Sequence, residues 1–144
     1  LFDLGRIQYR VRMSDRSFPP RLQSMSGSLY IVATPIGNLE DMTFRAVRIL
    51  KESDLILCEN SRNSGRLLSH YEIETNRLSL FEGKGKQGFD WILEKLESGQ
   101  KISYISDAGT PGVSDPGSGL VRAVRNSGYP VITIPGPSAL TAMI

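Results

Sequence analysis

The stretch KISYISDAGTPGVSDPGSGLVRAVRNSGYPVITI, Lys101 to Ile134, decides the fold. It opens on a short apolar run, KISYIS, and closes on another, PVITI, both rich in β-formers. Between them Leu120 to Asn126 has helical spacing and is ended by Gly128. Strand, helix, strand in that order makes a parallel crossover unit whose helix covers one face of a sheet. The turn after the first strand, SDAGTPGVSDPG (Ser106 to Gly117), holds three glycines, two prolines and two aspartates. Glycine lets backbone amides approach a ligand, and proline fixes the turn and removes a donor. Such a loop presents N–H and C=O groups at set positions, which suits a small polar ligand.

The same alternation runs outward from this unit. SLYIVAT (Ser28–Thr34), DLILCE (Asp54–Glu59) and RLSLF (Arg77–Phe81) read as three earlier strands. TFRAVRILKE (Thr43–Glu52) is expected to be a helix with Phe44, Val47 and Leu50 on its apolar face and Ala46 and Ile49 beside them. A short helix is expected from Ser61, and another over Gly88 to Ser98, ended by Gly99. PGPSALTAMI begins one more. Five strands alternating with helices imply an α/β fold: a parallel, doubly wound sheet with helices on both faces. Ligands in such sheets bind beyond the carboxyl ends of the strands. The tails there are TPIGNLED, ENSRNSG, FEGKGKQG, SDAGTPGVSDPG and PGPS.

Composition bounds the function. The 144 residues are 40% hydrophobic and 22% charged, ordinary for a soluble globular domain. No apolar run approaches the roughly 20 residues of a membrane span. Leu1 to Ser24 carries five arginines and two aspartates and has no sustained period. We expect it to be a poorly ordered leader or an upstream segment, with Met25 the natural start; an arginine arm that touches RNA is the alternative. Residues 25 to 144 hold twelve basic and thirteen acidic residues, so charge alone does not make them a nucleic-acid binder. One cysteine and one histidine argue against a metal site of the His/Cys kind. Cys58 reads as a small buried hydrophobe, and His70 as a structural residue against the sheet.

There is no G-x-G-x-x-G after the first strand, no phosphate-binding P-loop and no G-x-S-x-G elbow. Asp107 and Asp115 suit a ribose hydroxyl or an ammonium group, or else they make a local turn and cap the next helix.

Taken together, LYIVATPIGNLEDMTFRAVRILKESDLILCE, SDAGTPGVSDPG and IPGPSAL resemble the ribosomal RNA small subunit methyltransferase I family, within the tetrapyrrole methylase superfamily. The resemblance covers Ser28 to Ile144. It implies an S-adenosylmethionine-dependent enzyme that methylates the 2′-hydroxyl of a cytidine ribose in 16S rRNA of the small ribosomal subunit. It further implies a cytoplasmic homodimer without metal or membrane attachment. The donor is then expected in a cleft between a domain like residues 25–144 and a C-terminal domain absent from this chain.

Carried over by position, the donor-binding residues are Pro35, Ile36, Gly37 and Asn38, Ser106, Asp107, Ala108, Gly109, Thr110 and Pro111, Ser114 and Asp115, and Pro137 and Ser138. Glu59 and Asp107 are the candidate general bases, and Arg62 is a cation suited to phosphate. Glu59 and Arg62 are also explicable as a cap or a local ion pair. The family's Glu-Asp-Thr-Arg reads Glu59-Asn60-Ser61-Arg62 here, so one carboxylate is lost. If that position removes a proton, activity suffers; if it holds a loop, little changes. The other readings are a methylase of a tetrapyrrole precursor and a non-catalytic dimerising domain.

Overall fold

A computed structural model describes residues 26–80, 88–111 and 117–143. The leader, the FEGKGKQ segment and the sequence around Ser114 and Asp115 lie outside the described residues. Among the described residues five strands and five α-helices alternate: β1 (Ser28–Val32), α1 (Phe44–Glu52), β2 (Leu55–Cys58), α2 (Ser61–His70), β3 (Arg77–Ser79), α3 (Asp90–Glu97), β4 (Lys101–Ile105), α4 (Gly117–Asn126), β5 (Val131–Ile134) and α5 (Ala139–Ala142). The strands form one sheet in the order β3-β2-β4-β1-β5, and every pairing is parallel. The expected doubly wound sheet is what forms.

Strand alternation divides the core in two. Ile56 and Cys58 of β2, with Val32 and Ile105, pack against Ala46, Ile49 and Leu50 of α1 and Leu67 and Leu68 of α2. Leu55 and Leu57, with Leu29, Ile31, Ile102 and Tyr104, pack against Ile92 and Leu96 of α3 and Leu120 and Val124 of α4. Successive side chains point to opposite faces, so each inner strand supplies both layers. Each fully buried Leu or Ile contributes roughly 2 kcal/mol. With this strand order, right-handed crossovers put α1 and α2 on one face and α3 and α4 on the other, as found. A buried polar contact joins the end of α1 to β4: Ser53 Oγ donates to the Ile49 carbonyl at 2.8 Å, so Ser103 Oγ donates to Ser53 Oγ at 2.6 Å.

Three expectations need correction. Phe44 is 98% exposed, because α1 turns Ala46, Ile49 and Leu50 to the sheet and leaves its first residue outside. His70 is exposed at the end of α2, edge-on to Tyr71 with ring centroids 4.9 Å apart, and does not pack on the sheet. Helix α4 starts at Gly117, a turn earlier than its apolar period suggests. Cys58 is buried as expected, its thiol 3.4 Å from the Leu78 carbonyl.

Candidate functional site

The carboxyl ends of β1, β2, β4 and β5 release four loops that meet. Thr34, just past β1, is buried and ties two of them together. Its N–H donates to the Gly109 carbonyl at 2.9 Å, and its carbonyl accepts from the Gly109 N–H at 3.0 Å. The Thr34 hydroxyl also reaches the Ser106 carbonyl at 3.3 Å. Gly109 has φ +80, the left-handed region that only glycine enters without strain. A Cβ there would stand 3.3 Å from Ile36 Cγ2 and 3.8 Å from the Pro137 carbonyl oxygen. Residues from the β1, β4 and β5 loops therefore converge on this one glycine. Thr110 Oγ1 donates to the Pro137 carbonyl at 3.0 Å and closes the β4–β5 side.

On the β2 side, Glu59 Oε2 accepts from the Asp107 N–H at 3.3 Å. The Asp107 carboxylate in turn accepts from Asn63 Nδ2 at 3.0 Å. Asp107 and Ala108 are exposed, so the β4 loop offers its acidic group and a stretch of backbone to whatever lies above the strands. Ile36, 37% exposed, adds an apolar surface beside them. Asn63 and Thr34 lie within the tails ENSRNSG and TPIGNLED but are not among the site residues carried over by position. The partner of Asn63 is 44 positions away, and no local pattern signals such a pair.

Asn60 is the N-cap of α2. Its side-chain oxygen accepts from the N–H groups of Arg62 at 3.0 Å and Asn63 at 3.5 Å. An aspartate would accept the same two bonds, and Asn and Asp rank together as caps. Asn38 plays the same part at the short 3₁₀ turn Leu39–Asp41, accepting from the Glu40 N–H at 3.0 Å. Both asparagines are engaged with their own backbone.

The structure thus brings together Pro35 to Asn38, Glu59, Arg62, Ser106 to Pro111, and Pro137 and Ser138 along one edge of the sheet. Ser114 and Asp115 lie outside the described residues. An open hollow of about 430 Å³ lies between the β1 and β5 loops, lined by Ile36, Asp41, Thr43, Gly136, Pro137 and Ser138 among others. A larger one of about 820 Å³ lies beside α1 and Tyr71, lined by Glu40 and Met42 of the β1 loop but by no residue of the β2, β4 or β5 loops. Convergence of the loops, rather than cavity size, places the candidate site. Among the described residues no three His, Cys, Asp or Glu side chains are grouped to hold a metal, and no helix is long and apolar enough to cross a membrane.

Known proteins agree with the motifs. The family model for tetrapyrrole (corrin/porphyrin) methylases matches residues 28–144. The chain is 48% identical over 118 residues to the ribosomal RNA small subunit methyltransferase I of Leptospira biflexa, covering 82% of this chain and 49% of that one. To the protein of the same name from Pasteurella multocida it is 50% identical over 123 residues, covering 85% of this chain and 44% of that one. It therefore spans about half the length of the curated relatives it matches. Among solved structures, uroporphyrin-III-C-methyltransferase from Thermus thermophilus superposes with a TM-score of 0.60 at 23% identity, over 81% of this chain and 51% of that one. That likeness concerns the fold alone.

Proposed function

This chain belongs to the tetrapyrrole (corrin/porphyrin) methylase family, and on that premise we propose that it forms one wall of the donor site of an S-adenosylmethionine-dependent RNA methyltransferase. The reaction proposed is transfer of a methyl group to the 2′-hydroxyl of a cytidine ribose in 16S rRNA of the small ribosomal subunit. The observation that carries the reading is the 48% and 50% identity to proteins named for ribosomal RNA methylation, over 82% and 85% of this chain. The full enzyme is proposed to act in the cytoplasm as a homodimer, and a second domain is proposed to complete the cleft.

The residues present fit such a donor. Gly109 leaves open a cradle that a Cβ would narrow against Ile36 and Pro137. Asp107 is an exposed acceptor, and Ile36 offers an apolar surface to a flat ring. The donor, when bound, supplies a methyl group already activated by its sulfonium charge. What the chain then does is orient and exclude: the exposed backbone of Ala108, Gly109 beside it free of a side chain, Pro35 to Asn38, Thr110 and Pro111, and Pro137 and Ser138 together hold the donor's place. A ribose hydroxyl is a weak acid, so a carboxylate that takes its proton assists the step. Asp107 and Glu59 are the candidates; each carboxylate already accepts one hydrogen bond, Glu59 from the Asp107 N–H and Asp107 from Asn63 Nδ2. Arg62, exposed at the start of α2, is suited to the phosphate beside the target ribose.

The test uses the full-length protein with labelled S-adenosylmethionine. Unmodified small subunits, naked 16S rRNA and tetrapyrrole precursors are offered in separate reactions. Label on a cytidine ribose of the subunit rRNA is expected. Label on a tetrapyrrole alone, or no transfer to any of the three, would overturn the reading.

A further inference from the structure

Helix α2 carries a glycine in its interior, Gly65, and no turn or cap explains it. Glycine there costs helix stability relative to alanine, so its place needs a reason. The structure supplies one. A Cβ on Gly65 would stand 3.0 Å from Nη2 of Arg77 and 3.3 Å from its Cζ. Arg77 begins β3, the edge strand of the sheet, and its guanidinium lies against the helix at the one position where no side chain stands in the way. Arg62 and Arg66 flank Gly65 on the same helix. They are separated by four residues, which places them on one face about 5–6 Å apart at Cβ.

All three arginines are exposed. Among the described residues the ion pair formed is Arg48 with Glu52, on another helix, and none of the three has a carboxylate partner. Three exposed arginines thus belong to α2 and the edge strand against it, and Arg62 stands at the start of the helix, two residues past the Asn60 cap and three past Glu59. Nothing within the described fold needs this positive charge. Guanidinium is the group that best matches phosphate, with a fork of donors that stays charged at any physiological pH.

We propose that the Arg62–Arg66–Arg77 edge is the surface that grips the phosphate backbone of the RNA substrate and leads it to the site, with Gly65 present to seat Arg77. The inference rests on the reading of this protein as an RNA methyltransferase. The edge is sequence-blind: phosphate contacts set position and orientation, and base identity is read elsewhere.

The experiment uses the full-length protein, S-adenosylhomocysteine, and unmodified small subunits at several salt concentrations. Arg66→Ala with Arg77→Ala removes two of the cations and leaves Arg62, a candidate site residue, in place. Removing one arginine from a phosphate lowers the slope of log affinity against log salt by about 0.7. The double variant is therefore expected to lose about 1.4 from the slope, so that raising salt from about 50 to about 200 mM weakens it about sevenfold less than the wild type. Its affinity for S-adenosylhomocysteine should be unchanged. Gly65→Ala provides a second reading, because it improves the helix while displacing Arg77. It should raise the melting temperature and yet lower the salt slope, a combination no purely structural role of Gly65 produces.

An unchanged slope in a double variant that still methylates subunits overturns the proposal. So does a variant that loses donor affinity or thermal stability in step with RNA binding. If the variant binds RNA normally and self-associates, the arginines guard the open edge of β3 instead, and the proposal is wrong. Should the wild type bind S-adenosylhomocysteine but neither bind nor methylate RNA, the parent reading fails and the edge proposal falls with it.

Discussion

Replacing Asn60 separates a structural role from a chemical one at the position where the resemblance implies an acidic residue. The Asn60 side chain satisfies two orphan N–H groups at the start of α2, those of Arg62 at 3.0 Å and Asn63 at 3.5 Å. Asn60→Ala leaves both donors to water and should cost about 1 kcal/mol, within the range of roughly 0.5–2 found for cap removal. Asn60→Gly should cost only a few tenths. Asn60→Asp restores the same acceptor and adds a charge that the helix dipole favours by about 0.3–1 kcal/mol. Glu59 is adjacent and Asp107 is one hydrogen bond away, so repulsion offsets that gain, and the aspartate should lie within about 0.5 kcal/mol of the wild type. In thermal unfolding the alanine variant should melt about 2–4 °C lower. Turnover should follow the same order, because the cap fixes the helix end whose Asn63 holds Asp107. An Asn60→Ala variant that melts with the wild type would refute the capping role. A tenfold or greater rise in turnover for Asn60→Asp at unchanged stability would refute it too, since the carboxylate would then be taking part in the chemistry.

Three further outcomes are expected. Gly109→Ala forces a Cβ into the left-handed region at φ +80 and to 3.3 Å from Ile36 Cγ2, which should cost about 1–2 kcal/mol in denaturant unfolding and weaken S-adenosylhomocysteine binding measured by calorimetry. Asp107→Ala in the full-length protein should weaken the same binding by about 1.5 kcal/mol or more, and Asn63→Ala by about 0.5–1.5; unchanged affinity in the first would remove Asp107 from the donor site. Ser64 is 4% exposed and its hydroxyl has no hydrogen-bond partner among the described residues, so Ser64→Ala should stabilise the protein by about 0.5–1 kcal/mol, and a loss of stability on chemical denaturation would contradict this.

The order of elements is legible in the sequence because apolar runs and helical spacing are local. Each of the five expected strands forms, and among the described residues their ends are trimmed where loops take over, as at Thr34. The strand order is not legible. Nothing near Lys101 says that β4 will insert between β1 and β2, because that is decided by pairings such as Leu29 with Ile102 and Leu55 with Ile102. Phe44 departs from expectation for a related reason. Spacing finds an apolar stripe, but the sheet decides which part of the helix it covers, and the first residue of α1 stands clear of it. The loops of the candidate site are legible in composition, since glycine and proline mark them. The Glu59–Asp107–Asn63 chain is not, because its members are joined only by the fold.

That strand order also accounts for where the glycines gather. β1 and β4 are neighbours, yet β1 leads to α1 on one face and β4 leads to α4 on the other. From β1 the chain must pass over the end of β4 to reach β2, and from β4 it must pass over the end of β1 to reach β5. The two loops therefore meet above the sheet, running in opposite senses, and the antiparallel bridge between Thr34 and Gly109 forms where they meet. What glycine supplies at this crossing is the positive φ of +80 and the room beside Ile36, whose Cγ2 would stand 3.3 Å from a Cβ. Once joined, the loops leave for opposite faces and open a crevice at the carboxyl edge, the switch point where ligands of such sheets bind. The glycine-rich turn after β4 is thus required by the topology first, and the exposed groups of Asp107 and Ala108 are what the crossing leaves facing outward.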